Sequence, residues 1–483
     1  MDRIIFFTKA PRLGFGKSRL KPYLSEQERL ELMINLINDN YEKIKSSGKD
    51  YVVYYDGEKN DIDFIGGKKL LQFGDGLGRR MRNAIFQELE TADKVVLIGS
   101  DLNNLTTEDI NCAFDKLDEY DVVISPTKDG GYGLIGMKNQ IDIFMDIIYS
   151  TPRVLEDTIK KIKFFNKSYY LLPTIRDVDE LIDLVSAEFD SNNVSLIGAG
   201  EYNMNFKIDD MVLRINIASQ LHLGDKQIAY EYGALKALEN SGVTPKPIKL
   251  YEKGKFIPFG FLTMEYIEGR PLEYYRDFQI AAELLAKVHN TLIQDADLIY
   301  AERPFQTMYD EFVTMYSVYK LWDGKNAETE KRIDRFMEIA KNSGLESEIQ
   351  NPCIINTELN NRNFIIGNNS KIIDWEKPII GECEQDLAHF LVPTTTNWKT
   401  DVILSIDEMM SFLDMYEKYR HVDRKKFMKY LMFNSLRGVT WCSMAKVEYS
   451  NERTLKNDET LDKINKFLSP EFLDMLSIFY EVN

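Results

Sequence analysis

A chain of 483 residues exceeds the roughly 250–300 at which a single core stops growing, so more than one domain is expected. Hydrophobic residues at 44% beside charged residues at 28% are globular proportions, and no apolar run approaches the ~20 residues of a membrane-spanning helix, which excludes a membrane span. A net charge of −17 argues against a protein that tracks a nucleic-acid backbone, while leaving room for a local basic nucleotide pocket.

The start, Met1-Asp2-Arg3 running into an apolar stretch at 4–7 and then Thr8-Lys9, is too short and too charged for a secretory signal, so cytoplasmic residence is expected. Cys112, Cys353, Cys383 and Cys442 lie far apart without a C-x-x-C pair, which predicts buried thiols and neither a zinc site nor a disulfide frame. Short β-rich runs at 4–7, 51–55, 94–98 and 121–125 alternate with helical patterns such as 25–46 and 77–89. That alternation predicts an α/β domain with a mostly parallel sheet and its ligands at the carboxyl ends of the strands.

The loop after the first strand, KAPRLGFGKSRL, mixes glycines with cations and is suited to hold phosphates. Gly14 and Gly16 allow backbone N–H groups to approach the oxygens, and Lys9, Lys17 and Arg19 neutralise them. Lys17 and Arg19 are the catalytic candidates of this half. The G-x-x-x-x-G-K-[ST] pattern of a Walker A loop is absent. Three later loops add to the set: GDGLGRRM with Asp75 and Arg79, GSD with Asp101, and DGGYGLIG with Asp129, Gly130 and Gly131. With Ser150-Thr151-Pro152 and Asp177-Val178-Asp179 behind them, these motifs resemble the GT-A-fold (Rossmann-like) nucleotidyl- and glycosyltransferases related to phospholactate guanylyltransferase, over residues 2 to about 185. The resemblance implies that Asp101 holds a divalent cation, with Asp179 as a second ligand, and that Lys9, Gly14, Gly16, Asp75, Arg79, Asp129, Gly130 and Gly131 bind the nucleotide. That family usually continues from this Asp with Cys or Thr, Pro and often Asp; this chain has Leu102-Asn103-Asn104.

The polar run Glu188-Phe189-Asp190-Ser191-Asn192-Asn193 marks the expected boundary, giving domains at 1–189 and 194–483, the second divided into lobes at 194–266 and 267–483. A β-hairpin with Gly198 and Gly200 in its loop opens the second domain, and Arg214 stands in the following strand. There a kinase usually has the Lys that pairs with phosphates and with a helix carboxylate, here Glu231. The run FLTMEYIEGRPL, with Glu265 and Tyr266, resembles the strand and hinge of the aminoglycoside phosphotransferase and choline kinase family, which implies that its backbone groups accept adenine. His289, at the end of a helix over 280–290, reads as a helix-end hydrogen-bonding group. Tyr316, Tyr319, Trp322, Trp398 and Trp441 read as core, or as a cage for a cationic acceptor.

The stretch PCIINTELNNRNFIIGNNSKIIDWEKP predicts two short strands, 364–366 and 371–373, with Glu358, Asn363 and Asp374 at one end. One carboxylate for an acceptor hydroxyl, plus an amide and a carboxylate for Mg²⁺, is what phosphoryl transfer from ATP requires. INTELNNRN followed by IIDWE resembles the catalytic and metal motifs of the aminoglycoside phosphotransferase and choline kinase family, an α+β bilobal protein-kinase-like fold. By that resemblance Glu358 is the catalytic carboxylate, Asn363 and Asp374 are metal ligands, and Asp386-Leu387-Ala388-His389 braces the catalytic loop. Family members usually carry His and Asp where this chain has Asn356 and Glu358.

The expectation is a bifunctional transferase. A C-terminal kinase uses ATP to phosphorylate a hydroxyl acceptor such as an amino-alcohol or polyol, and an N-terminal nucleotidyltransferase uses CTP or GTP to activate the product, both with Mg²⁺ or Mn²⁺. The alternative is an N-terminal glycosyltransferase using an NDP-sugar beside a ligand-binding pseudokinase. Partners are small-molecule substrates and nucleotides, with no nucleic acid and no membrane.

Overall fold

The computed structural model describes residues 1–200, 202–217, 219, 221–293, 296–451 and 458–481. The chain divides into two compact units, one of Met1–Gly198, Phe206–Asp209 and Lys253–Phe259, the other of Ala199–Asn205, Asp210–Glu252 and Gly260–Asn483.

The first unit is a seven-stranded sheet, whose strands are β1 (Asp2–Lys9), β2 (Asp50–Asp56), β3 (Lys68–Leu71), β4 (Lys94–Gly99), β5 (Val122–Pro126), β6 (Tyr132–Met137) and β7 (Tyr169–Leu171), in the order β3-β2-β1-β4-β6-β5-β7. Helices α1 (Glu26–Ser46), α2 (Leu77–Glu88), α3 (Thr107–Glu119), α4 (Val154–Phe164) and α5 (Leu181–Glu188) alternate with them. The centre of β1, Ile4 to Phe7, is apolar because both sheet faces are covered: Ile4 and Phe6 join one core, Ile5 and Phe7 the other. Helix α1 begins where Ser25 and Glu28 form a reciprocal capping box. Strands β1 to β4 pair in parallel, as do β5 and β7, whereas β6 runs antiparallel to both β4 and β5.

One motif read as a loop proves to be largely strand. Only Asp129 to Gly131 of the DGGYGLIG run is a turn, and Gly133 and Gly136 lie within β6. A Cβ at Gly133 would come 2.4 Å from Leu102 Cδ2, so this glycine serves close packing under the Asp101 loop and leaves ligand contact to the turn.

From Val194 onward the chain forms a five-stranded sheet of β8 (Val194–Ala199), β9 (Asn203–Ile208), β10 (Met211–Asn216), β11 (Pro247–Tyr251) and β12 (Phe261–Glu265), in the order β11-β12-β10-β9-β8, with α6 (Gln227–Leu238) against β11 and β12. The short strand β13 (Arg270–Pro271) and helices α7 (Phe278–His289), α8 (Pro304–Lys320) and α9 (Ala327–Asn342) lead to β14 (Pro352–Ile355). The hairpin of β15 (Phe364–Ile366) and β16 (Lys371–Ile372) pairs with β13, while β14 pairs with β17 (Ile379–Glu382). The chain continues through α10 (Cys383–Leu391), α11 (Pro393–Lys399), α12 (Ile406–Tyr416) and α13 (Arg424–Ser450), followed by α14 (Asp458–Phe467) and α15 (Pro470–Leu476). Phe427, Phe433, Leu436 and Val439 on α13 are wholly buried in the core shared with Phe305 and Phe312 of α8. Among the described residues no helix is long and apolar enough to cross a membrane.

Candidate active sites

In the first unit the loop after β1 turns through positive φ at Gly14, Gly16 and Lys17, the last at 45°. This delivers the Lys17 ammonium, 7% exposed, between two carboxylates: Nζ donates to Asp101 Oδ2 at 3.1 Å and to Asp179 Oδ1 at 3.0 Å. Burial works against the Lys17 charge, but Asp101 and Asp179 outweigh it and raise its pKa. Lys17 in turn holds the Asp101 carboxyl below its usual range. The Asp101 loop is pinned from behind by Asn40 of α1, whose Nδ2 donates to Ser100 O at 3.2 Å and Leu102 O at 2.6 Å. Asn40 carried no functional signal in the sequence, where it is one polar residue in a helical pattern.

Asp177 faces the same carboxylates, and its pKa is pushed up to about 7 by burial and then by Asp129, Asp101 and Asp179. Negative charge here exceeds what Lys17 neutralises, which fits a divalent cation. Among the described residues no three His, Cys, Asp or Glu side chains are grouped to enclose an ion by themselves. The donor set suits Mg²⁺, which takes one or two carboxylates and completes its shell with phosphate oxygens and water.

Asp129 accepts from Thr127 Oγ1 at 2.5 Å and from Gly131 N at 3.0 Å, closing the turn. A Cβ on Gly130, whose φ is +87°, would lie 2.1 Å from Pro152 O. Other candidates stand apart: Asp75 is fully exposed with Arg79 3.8 Å away, and Arg19 lies 3.4 Å from Glu180 on the surface. Lys9 adds positive charge that lowers the Asp101 pKa further.

In the second unit Arg214 of β10 is buried at the centre of a carboxylate cluster. Its Nε donates to Glu231 Oε2 at 2.6 Å, and its Nη2 to Asp374 Oδ1 at 2.8 Å and Glu376 Oε2 at 3.3 Å. The planar fork allows one cation to serve several acceptors, which a lysine ammonium does with less directional fit. Glu376, which the sequence reading passed over, has its pKa raised well above the carboxylate range by burial and by Asp374, despite Arg214. This site too carries more negative charge than its own cation balances and fits a divalent ion.

Gly200 N donates to Asn203 O at 2.8 Å at the neck of the hairpin that also carries Gly198; the intervening Glu201 lies outside the described residues. At the hinge, Glu265 accepts from Lys246 N at 3.1 Å and the Tyr266 amide donates to Asp210 O at 3.2 Å.

The catalytic-loop candidate is held from α10. Asp386, wholly buried, accepts from the amides of Asn356 at 2.8 Å and Thr357 at 2.7 Å. His289 Nε2 lies 3.3 Å from Asp386, and its Nδ1 2.7 Å from Tyr416 Oη, so this ring buttresses the brace. Asn356 Nδ2 donates to Asp374 O at 2.9 Å, which ties the Glu358 loop to the metal-ligand candidate. Thr357 at φ 74° and Asp374 at φ 66° sit in the left-handed region; for a β-branched residue this is strain that its surroundings must over-determine. Asn363 Oδ1 accepts from Asn360 N at 2.7 Å.

Glu358 opens onto a cavity of about 270 Å³ lined by Glu311, His389, Trp398, Arg437 and Trp441 among others. Burial alone would raise the Glu358 pKa, but Arg437 and Lys377 hold it below its usual value. His389 is pushed down to about 4 by burial and by Arg437, so it is neutral at pH 7. Its Nδ1 lies 3.1 Å from Leu359 O, an acceptor, which calls for the Nδ1–H tautomer. The aromatic cage divides: Trp398 and Trp441 meet edge to face at 5.3 Å in the cavity wall. Tyr316, Tyr319 and Trp322 do not join them: Tyr316 Oη of α8 donates to Glu330 O of α9 at 3.0 Å, Tyr319 Oη accepts from the amide of Asn326, the N-cap of α9, at 2.9 Å, and Trp322, just past α8, packs against Tyr319.

Residues 45–151 match a family described as an uncharacterized protein conserved in bacteria (DUF2064), and residues 193–425 match the phosphotransferase enzyme family. The chain is a two-domain transferase. It is 27% identical over 199 residues to a 2-phospho-L-lactate guanylyltransferase of Methanocaldococcus sp. (strain FS406-22), a span of 39% of this chain and 80% of that protein. The 2-phospho-L-lactate guanylyltransferase of Methanocaldococcus vulcanius is 26% identical over 164 residues, or 32% of this chain and 72% of its own length. Among solved structures, a choline/ethanolamine kinase family protein from Mesorhizobium loti aligns with 60% of this transferase and 93% of its own chain, at 15% identity and a TM-score of 0.44.

Proposed function

We propose that the second domain transfers the γ-phosphoryl group of ATP to a hydroxyl of a small amino-alcohol or polyol, and that the first, of GT-A type, joins the phosphorylated product to a nucleotide supplied by CTP or GTP. The observation that carries the reading is the hydrogen bond from Asn356 to Asp374 O, which couples the loop of Glu358, an ionised carboxylate at an aromatic-walled cavity, to the carboxylates around Arg214. The relatives of the first domain are named for guanylyl transfer involving 2-phospho-L-lactate, itself a phosphate monoester, which is the class of product a hydroxyl kinase releases.

Asp374 and Asn363 in one domain, and Asp101 and Asp179 in the other, would hold Mg²⁺ or Mn²⁺, whose chemistry is to neutralise and orient the nucleotide phosphates. Glu358 accepts the acceptor's hydroxyl proton as its oxygen bonds to the γ-phosphorus, and the bond to the ADP oxygen breaks. Arg214 meets the nucleotide phosphates from β10. In the first domain Lys17 and Lys9 steady the triphosphate while the substrate phosphate attacks the α-phosphorus and pyrophosphate leaves. Cytoplasmic residence accords with these substrates.

A second reading, a nucleotide-binding pseudokinase, is favoured by the ion pair from Arg214 to Asp374, which already engages the metal-ligand candidate. Labelled ATP, Mg²⁺ and a panel of amino-alcohols and polyols separate the two. Transfer to a panel member that is lost in Asp374→Asn supports the kinase, and ATP binding without transfer supports the pseudokinase.

A further inference from the structure

Arg437 of α13 reaches back to the catalytic loop and engages consecutive residues of it. Its Nη1 donates to the Thr357 carbonyl at 3.2 Å and its Nη2 to Glu358 Oε1 at 2.9 Å, while Nε lies 3.7 Å from Glu311 of α8. We infer that Arg437 is a positioning residue for phosphoryl transfer, fixing the longer Glu358 side chain by one oxygen so that the other faces the acceptor hydroxyl. The inference rests on the phosphotransfer reading above.

The need for such a clamp follows from the loop itself. Glu358 has one more rotatable bond than an aspartate, so its carboxylate sweeps a larger volume unless a partner fixes it. Thr357, immediately before it, is a β-branched residue at φ 74° and must be pinned on every side. Asp386 takes its amide, Thr357 Oγ1 donates to Lys377 O at 2.9 Å, and Arg437 takes its carbonyl. The guanidinium therefore secures both the strained backbone and the carboxylate that follows. Its own position is fixed by close helix packing, since a Cβ on the adjacent Gly438 would come 2.5 Å from Thr394 Cβ of α11. The charged and titratable groups that face Glu358 are Arg437 from α13, Glu311 from α8, His389 from α10, and Glu376 and Lys377 between β16 and β17. Of these, Arg437 hydrogen-bonds to its carboxylate.

Wild type, Arg437→Met and Arg437→Lys are compared in steady-state ATP turnover with Mg²⁺ from about pH 5 to about pH 9, with choline, ethanolamine, glycerol and water as acceptor probes. Arg437→Met should lower kcat roughly 100-fold and leave KM for ATP within about two-fold. It should also move the acid limb of kcat upward by about one to three pH units, because Glu358 loses its cation. Arg437→Lys should recover part of kcat. Unchanged kcat, or a loss carried by KM for ATP with an unmoved limb, overturns the inference. A second readout needs no turnover: the fluorescence of the four tryptophans, of which Trp398 and Trp441 line the cavity, is titrated in wild type, Arg437→Met and Arg437→Lys, and the transition missing in Glu358→Gln is assigned to Glu358. A midpoint raised in Arg437→Met and partly restored in Arg437→Lys supports the clamp even if wild type turns over no probe, an outcome that defeats the phosphotransfer reading instead. An unmoved midpoint overturns the clamp.

Discussion

At the scale of single residues, both candidate sites hold a basic side chain among more carboxylates than it can neutralise. In the first domain Lys17 lies between Asp101 and Asp179 at ion-pair distance. A divalent ion bound with a nucleotide would take these carboxylates from the ammonium, and the freed lysine would be available to phosphate. Replacing Asp101 by alanine removes one partner of Lys17 and one proposed metal ligand, so we expect calorimetry to show nucleotide affinity that no longer depends on added Mg²⁺ or Mn²⁺. Undiminished metal dependence in that variant would place the ion elsewhere. In the second domain His389 supplies a pH signature. Its folded pKa of about 4 lies below the ordinary histidine value, so the folded state resists protonation. The stability it contributes is present above pH ~6.5 and is lost as pH falls from there toward its folded value. At about 1.4 kcal/mol per pKa unit the full effect is about 3 kcal/mol, and about half is expected for a ring in partial contact with solvent. Denaturation at pH 7 and at about pH 4.5 should show a smaller acid loss in His389→Gln than in wild type. Equal losses would mean that the ring protonates freely in the folded state.

At the scale of elements, the apolar runs that announce β1, β2, β4 and β5 in the sequence are there because both faces of the sheet are buried. Strand β3 escapes that signal, since none of Lys68 to Leu71 is buried, and β6 escapes it because its glycines imitate a loop. The hairpin of β15 and β16 and the helix cap at Ser25 follow local chemistry and are readable residue by residue. Contacts across long separations are not: Arg437 stands 79 residues after Glu358, and an arginine inside a long helix carries no pattern that names its partner. Glu231 was within reach of sequence reasoning because a helix carboxylate facing a strand cation recurs in kinases, whereas Glu376 and Asn40 declare their roles only through geometry. The brace from α10 to the Glu358 loop is the element-level device with the largest expected effect. Asp386→Ala leaves the amides of Asn356 and Thr357 buried without an acceptor and removes one of the two partners of the His289 ring described above. Unpaired buried donors of this kind cost about 2–4 kcal/mol together. The variant should melt lower, and should lose transfer more than it loses ATP binding, since Arg214 and the β10 strand are untouched. A variant that keeps wild-type melting and turnover would show that the loop holds itself.

At the scale of the whole molecule, the question is why a phosphotransferase-family domain and a guanylyltransferase-like region share one chain. A kinase acting on a hydroxyl releases a phosphate monoester, and a nucleotidyltransferase of the phospholactate kind consumes one. Covalent linkage raises the concentration of each domain's product near the other without any new contact, an effect that reaches millimolar values for short connectors. The proposed sequence of reactions balances: the monoester oxygen bonds to the α-phosphorus of CTP or GTP, the bond to the β-phosphate breaks, and pyrophosphate leaves. If the domains act in that order, incubation with ATP, Mg²⁺, CTP or GTP and an amino-alcohol or polyol acceptor should yield a nucleotide diphosphate conjugate by mass spectrometry. Asp374→Asn should abolish the conjugate while purified phosphomonoester restores it, and Asp101→Ala should abolish it even with the phosphomonoester supplied. The distinction is sharp because each substitution touches a carboxylate of one domain only. Failure of the phosphomonoester to bypass Asp374→Asn, or consumption of an NDP-sugar in place of CTP or GTP, would break the sequence of reactions. Either result would leave two transferase domains whose products do not meet.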